Sequence, residues 1–200
     1  EFAVTRMAGT PKYNRREFLA TLGSGAAAAV MFDQAAAEDS PVSRSIRKRI
    51  ENRTFPSVFQ AWNPADNLKD EDKLTTIARH DLLFHGVGFF GLKWDHQYAG
   101  LGTRFRRESI RRGLAKRKEL LDKNPNLILL AEIRYRDASR KWFPPDHKWW
   151  KRDKKDKPML GWAEGGHLQM DFSQDAYRKH VAAQAGAAVA SGVVDGVMLD

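Results

Sequence analysis

Leu127-Ile128-Leu129-Leu130-Ala131-Glu132-Ile133 is the stretch on which the fold turns. Apolar residues occupy both alternating sets of positions, so a strand here buries both faces, the habit of parallel strands covered by crossover helices. Working outward, the same grammar repeats. Ser57-Val58-Phe59-Gln60-Ala61-Trp62 and Asp81-Leu82-Leu83-Phe84-His85-Gly86 lie before it, and Val193-Val194-Asp195-Gly196-Val197-Met198-Leu199-Asp200 lies after it. Helical patterns stand between these runs. The first has Asp70, Glu71 and Asp72 near its start and Leu74, Ile77 and Ala78 on one face. The second, long and basic, sets Ile110, Leu114, Arg117 and Leu121 on one face and is stopped by Asn124-Pro125. In the third, Ser173 is placed as the cap and Asp175 falls in the first turn. Tyr177, Val181, Ala185 and Ala188 share its face, and Gly192 closes it.

Alternating strands and helices predict an α/β fold with a parallel sheet. Four strand-and-helix units end on an uncovered strand, so the expectation is the N-terminal half of a (β/α)8 TIM barrel in a chain that continues. The expected organisation is an export signal over residues 1–37, a polar linker over 38–53 and a partial barrel domain over 54–200. The 200 residues include 34 basic and 25 acidic side chains, a formal net charge of +9, and no cysteine. Disulfides and cysteine-based metal or nucleophile chemistry are therefore excluded. The basic surplus is spread through helices and one loop run, as on a solvated surface.

At the N-terminus, Asn14-Arg15-Arg16-Glu17-Phe18-Leu19 precedes a small-residue apolar run and Ala35-Ala36-Ala37. A basic head, an apolar middle and a small-residue cleavage site in that order read as a secretory signal. Arg15, Arg16, Phe18 and Leu19 resemble the twin-arginine translocation signal, which implies the export machinery as a partner and a periplasmic or extracellular address in a bacterium. Asn14 and Ala20 depart from the usual pattern. The run is too short and too rich in alanine and glycine for a permanent membrane anchor.

In parallel barrels the reactive groups sit at the carboxyl ends of the strands. Those ends offer Gln60 with Trp62, then His85, then Glu132 with Arg134, and finally Asp200. Strand alternation sets Gly196, Met198 and Asp200 on one side, and Val197 and Leu199 on the other, so Asp200 points into the mouth if the apolar pair meets the helices. Asp195, at the start of that strand beside Gly196, reads as structural. Glu132 and Arg134 share a face as either a buried ion pair or a substrate contact.

Phe55-Pro56-Ser57-Val58-Phe59-Gln60-Ala61-Trp62, Arg79-His80-Asp81 and the segments Asp171-Phe172-Ser173 and Val194 to Asp200 resemble bacterial glycoside hydrolases with barrel folds, among them polygalactosaminidase-like and alpha-galactosidase-like barrels. The resemblance covers residues 54–200. Together with the N-terminal signal it implies an exported glycoside hydrolase acting on a poly- or oligosaccharide, with Asp200 at the catalytic carboxylate position and the proton-donating partner on a later strand. No cofactor is implied.

From Asp137 to Asp171 the chain is polar and rich in tryptophan, and a loop this long in a compact domain is usually functional or disordered. Trp142, Trp149, Trp150 and Trp162 stand in it, and Trp94 with Asp95 in the preceding loop. Sugars stack on such rings. Trp62, His85, Trp94, Asp95, Glu132, Arg134 and Trp162 are therefore the expected substrate contacts, with half of the loop tryptophans expected only to anchor it. His85 is either a donor to a sugar hydroxyl or a satisfied strand-end histidine. The interleaved Lys148, Lys151, Arg152, Lys154, Lys155 and Lys157 suit a solvated loop or an acidic polysaccharide. Aromatic and basic residues also grip nucleic acid, but Asp153, Asp156 and the export signal weigh against that partner. The histidines form no ligand pair of metal-binding spacing. The competing functions are a non-catalytic carbohydrate-binding barrel and a basic nucleic-acid-binding module. Salt-sensitive DNA binding would separate the latter from a sugar enzyme.

Overall fold

The computed structural model describes residues 41–51, 53, 56–62 and 70–200. The expected signal, with Arg15, Arg16, Phe18 and Leu19, lies outside the described residues. Among the described residues, four α-helices and six strands follow in chain order: α1 (Pro41–Glu51), β1 (Phe59–Ala61), α2 (Lys73–Ala78), β2 (Leu82–Gly86), α3 (Arg107–Lys123), β3 (Ile128–Ile133), β4 (Asp137–Ser139), β5 (His167–Gln169), α4 (Asp175–Ala190) and β6 (Gly196–Leu199). Strands β1, β2, β3 and β6 form one parallel sheet in that order. Strands β4 and β5 pair antiparallel as a separate ribbon. The protein is thus an α/β fold built on a four-stranded parallel sheet.

Register explains the two faces. Leu83 pairs with Leu129, and Ala131 pairs with both His85 and Val197. Leu83, Leu129, Ala131 and Ile133 join Ile77 of α2, Leu120 of α3 and Tyr177, Val181 and Ala188 of α4 in one apolar core. Val197 and Leu199 pack against it from β6. The opposite face carries Phe59, Phe84, Leu130, Gly196, Glu132 and Met198. It is only partly covered, with Phe59 and Met198 exposed. Strands laid down in sequence order, each connected over the same face, leave the other face free.

The structure corrects several expectations. Most of the expected linker is helical, and Arg49 of α1 is buried, donating to the Leu127 carbonyl at 2.7 Å and to Asp195 at 3.1 Å. The long loop after β3 is not irregular throughout, because β4 and β5 brace it and Trp150 bridges to Met170. Helix α3 buries Ser109, Gly113 and Leu120, a face turned by one residue from the expected one, while Leu114 is exposed. Gly113 sets that rotation. A Cβ there would lie 2.8 Å from Val193 and 2.9 Å from the Phe90 carbonyl, so the helix rests on its glycine.

Ser173 does not cap α4. Its hydroxyl donates to Asp171, and Gln174 takes the cap position with no side-chain bond to the helix's free N–H groups, its amide donating instead to Asp171 and the Lys148 carbonyl. The helix buries Gln184 where apolar spacing pointed to Ala185. The Gln184 amide donates to the Gly102 carbonyl at 2.8 Å, a partner brought in by the chain after β2. Gly192 closes the helix as expected, at a φ of 70° that side chains rarely adopt.

Candidate active site

Asp200 is fixed by the backbone on both sides. Its N–H donates to the Ile133 carbonyl at 3.2 Å, and its own carbonyl accepts from Tyr135 at 2.8 Å. The parallel ladder therefore runs on to the end of β3, and the Asp200 carboxylate stands on the open side of the sheet, in line with Gly196 and Met198. There it meets Arg134, whose guanidinium lies 3.2 Å from its Oδ2. Arg136 approaches Oδ1 at 3.7 Å.

Arg134 is the hub of the site. The same guanidinium donates to Glu132 at 3.0 Å and to Asp137 at 2.7 Å. Glu132 and Arg134 are therefore an ion pair with little solvent contact, joined to two further carboxylates. Burial pushes the Glu132 carboxyl above the ordinary carboxylate range. Arg134 opposes that rise, while the nearby charge of Asp200 and a hydrogen bond shared with Asp200 add to it. The Trp62 side chain, like Arg134, acts to lower it. Burial also acts to raise Asp137, but bonds from Arg134 and His167 outweigh it and hold this carboxyl below its usual value. His167 contacts Asp137 at 3.1 Å, and the Trp162 N–H donates to it at 3.1 Å.

Trp62 follows β1 with a φ of 59°, a left-handed conformation unusual for a bulky residue. Its N–H is tied to the Phe84 carbonyl at 3.1 Å and its ring meets the Phe84 ring edge-on at 5.2 Å. Backbone strain of this sort concentrates at functional sites. A cleft of about 950 Å3 opens above these groups, with Asp200 and Arg134 in its lining. Trp62, Trp162 and Phe172, exposed by 46%, 51% and 43%, supply its apolar surfaces. Arg136 and Lys151 add exposed positive charge to its wall.

The cleft thus brings together Trp62, Arg134, Trp162 and Asp200 among the expected site residues, with Glu132 bonded beneath them. Trp94 stacks on Phe105 with centroids 3.9 Å apart and lines a second, smaller cavity of about 290 Å3, which also touches Glu132 and Arg134. Asp95 lines neither cavity. It is exposed and pairs with Arg106 at 3.8 Å. His85 also lies off the large cleft, stacked on Phe89 at 4.4 Å with its Nδ1 buried and without a hydrogen-bond partner. Burial lowers its pKa. Of the loop tryptophans, Trp149 and Trp150 are buried anchors, and Trp142 and Trp162 are exposed.

Sequence reading missed Asp137, His167 and Arg136 as members of the site. The only local signal was Arg134, Arg136 and Asp137 clustered just past β3. His167 arrives from a strand that no periodicity announced. Among the described residues, no three His, Asp or Glu side chains converge closely enough to hold a metal ion, and no helix is long and apolar enough to cross a membrane.

No protein-family model matches the sequence, and no curated protein matches it. Among solved structures the chain is similar to a maltogenic alpha-amylase, AmyB, of Thermotoga neapolitana, at 15% sequence identity and a TM-score of 0.43. The match covers 72% of this chain and 38% of the amylase, so the chain spans well under half of that protein's length. A likeness this distant says nothing of activity, and the chemistry has to come from the site's own residues.

Proposed function

We propose that the chain carries the catalytic face of an exported glycoside hydrolase of the (β/α)8-barrel type. A parallel sheet in sequence order, with its helices on one face, supports the barrel reading. The export reading rests on the twin-arginine-like segment alone. One observation carries the enzymatic reading: the Asp200 carboxylate, held at the carboxyl end of β6, lines an open cleft between two exposed tryptophans.

In this reading Trp62 and Trp162 stack on the sugar faces, and Asp200 attacks the anomeric carbon or deprotonates a water. Glu132 is not its proton-donating partner. Carboxyl groups that flank a glycosidic bond stand about 5 Å or more apart with the sugar between them, whereas Glu132 and Asp200 are drawn onto one guanidinium, that of Arg134, at 3.0 and 3.2 Å. Glu132 with its raised pKa instead orients Asp200, and Arg134 fixes both. The leaving oxygen is protonated by a group outside this pair. The test is Asp200→Asn in the protein as its gene encodes it, assayed on a panel of oligosaccharides. Turnover should fall by about 10^3-fold or more with an unchanged melting temperature. Activity within a few-fold of the parent would remove Asp200 from the mechanism.

A further inference from the structure

We infer that the cleft takes a glycan bearing carboxylate groups, a uronic-acid oligosaccharide rather than a neutral one. This deepens the proposed glycosidase and rests on it. Most charges at the cleft are already paired. Arg134 is only 12% exposed and already holds Glu132, Asp137 and Asp200. Asp137 is turned inward, its oxygens taken by Arg134, His167 and the Trp162 N–H. Asp200 is the reacting carboxylate.

Two cations remain to face a ligand. Arg136 is 61% exposed, and its approach to Asp200 at 3.7 Å is too long for a hydrogen bond, which leaves its donors open. Lys151 is exposed on the cleft wall in the field of Asp171. Neither sits on a loose loop. The Arg136 carbonyl accepts from Met170 at 2.9 Å and the Lys151 N–H donates to Gln169 at 2.9 Å, so the two flank the same extended segment. Two strand spacings separate their backbones, roughly 10 Å. Trp150, almost fully buried beside Lys151, pins that wall.

A neutral sugar would strip water from these cations and return no charge. A carboxylate returns a charge-assisted bond to each, and a planar guanidinium suits it best. Trp162 and Phe172 stand in the same cleft to stack on the ring that carries the carboxylate. A single-stranded nucleic acid needs a track of cations along several nucleotides, and this cleft offers two.

The experiment is calorimetric titration of the chain with oligomers matched except at C6: galacturonate against galactose, mannuronate against mannose and glucuronate against glucose, with single-stranded DNA alongside. At least one uronate oligomer should bind about tenfold or more tighter than its neutral partner at low salt. The gap should shrink severalfold in about 0.5 M NaCl. In the double variant Arg136→Ala/Lys151→Ala it should vanish, with a melting temperature within about 2 °C of the parent, since both side chains are exposed. Neutral oligomers binding as tightly in every pair would overturn the carboxylate inference and leave the glycan reading standing. No oligosaccharide binding at all would overturn both. DNA binding tighter than every oligosaccharide would replace both with a nucleic-acid module.

Discussion

Asp195 and Asp200 stand at opposite ends of one strand and have opposite surroundings. Asp195 is nearly dry, held by Arg49 at 2.5 Å, by Arg117 at 2.6 Å and by the Leu129 N–H at 2.9 Å. Burial acts to raise its pKa, but these partners win and hold it low. Its folded pKa lies below the unfolded one, so its contribution is present above about pH 4 and is lost as the pH falls through the folded value. Asp195→Asn leaves two arginines with little solvent and no counter-charge, and should cost about 3–5 kcal/mol at pH 7. Denaturant titration should show that gap narrowing at about pH 3, where the unfolded carboxyl is largely protonated and the folded ion pair stabilises less. An equal loss at both pH values would contradict the ion-pair account. Asp200, by contrast, is reached by solvent and by whatever fills the cleft.

At the scale of elements, the amino ends of the strands hold the sheet together, while the carboxyl ends are available for chemistry. Arg49 of α1 reaches Leu127 and Asp195, and Arg53 donates to the carbonyls of Asp81 and Asn126. These bonds tie the approaches to β2, β3 and β6 from below, leaving the cleft above. Helix α3 seats on Gly113, and the two helical glycines should respond oppositely to alanine. Gly113→Ala drives a methyl into Val193 and the Phe90 carbonyl and should destabilise by about 1–3 kcal/mol. Gly186 in α4 has open space where its Cβ would be, so Gly186→Ala should stabilise by about 0.5–1 kcal/mol. Thermal melts of the two variants shifting in the same direction would contradict this packing.

For the whole molecule, acid should act in two stages. His85, His147 and His180 all have pKa values lowered, chiefly by burial. A lowered histidine pKa means the fold prefers the neutral ring, so stability begins to fall as the pH drops below about 6.5. The second stage belongs to Asp137, Asp171 and Asp195, whose carboxyls are held low by hydrogen bonds and whose contributions disappear below about pH 4. Glu132 works against this trend, because its raised pKa makes protonation favourable in the fold. Melting temperatures between pH 8 and pH 3 should therefore decline gently at first and steeply at the end, to an extent set by these groups. A flat profile down to about pH 4 would show that the histidines carry no such cost.

All four strands of the sheet, their parallel pairing and the three helices between them were legible in the sequence, because apolar period and turn residues are local properties. Asp200 was legible for the same reason, through its parity with Gly196 and Met198 along one strand. Other features depended on contacts between residues far apart in the chain. Arg49 finds Asp195 across most of the molecule, so a segment that reads as a polar linker becomes a helix with a buried end. Gln184 is buried because two backbone carbonyls await it, and α3 turns its glycine inward because Val193 and Phe90 stand there. The cleft itself is likewise tertiary. Composition supplied its tryptophans and cations, but only the pairing of β4 with β5 sets Arg136, Lys151 and Trp162 around Asp200, because the partners that position them are not their neighbours in sequence.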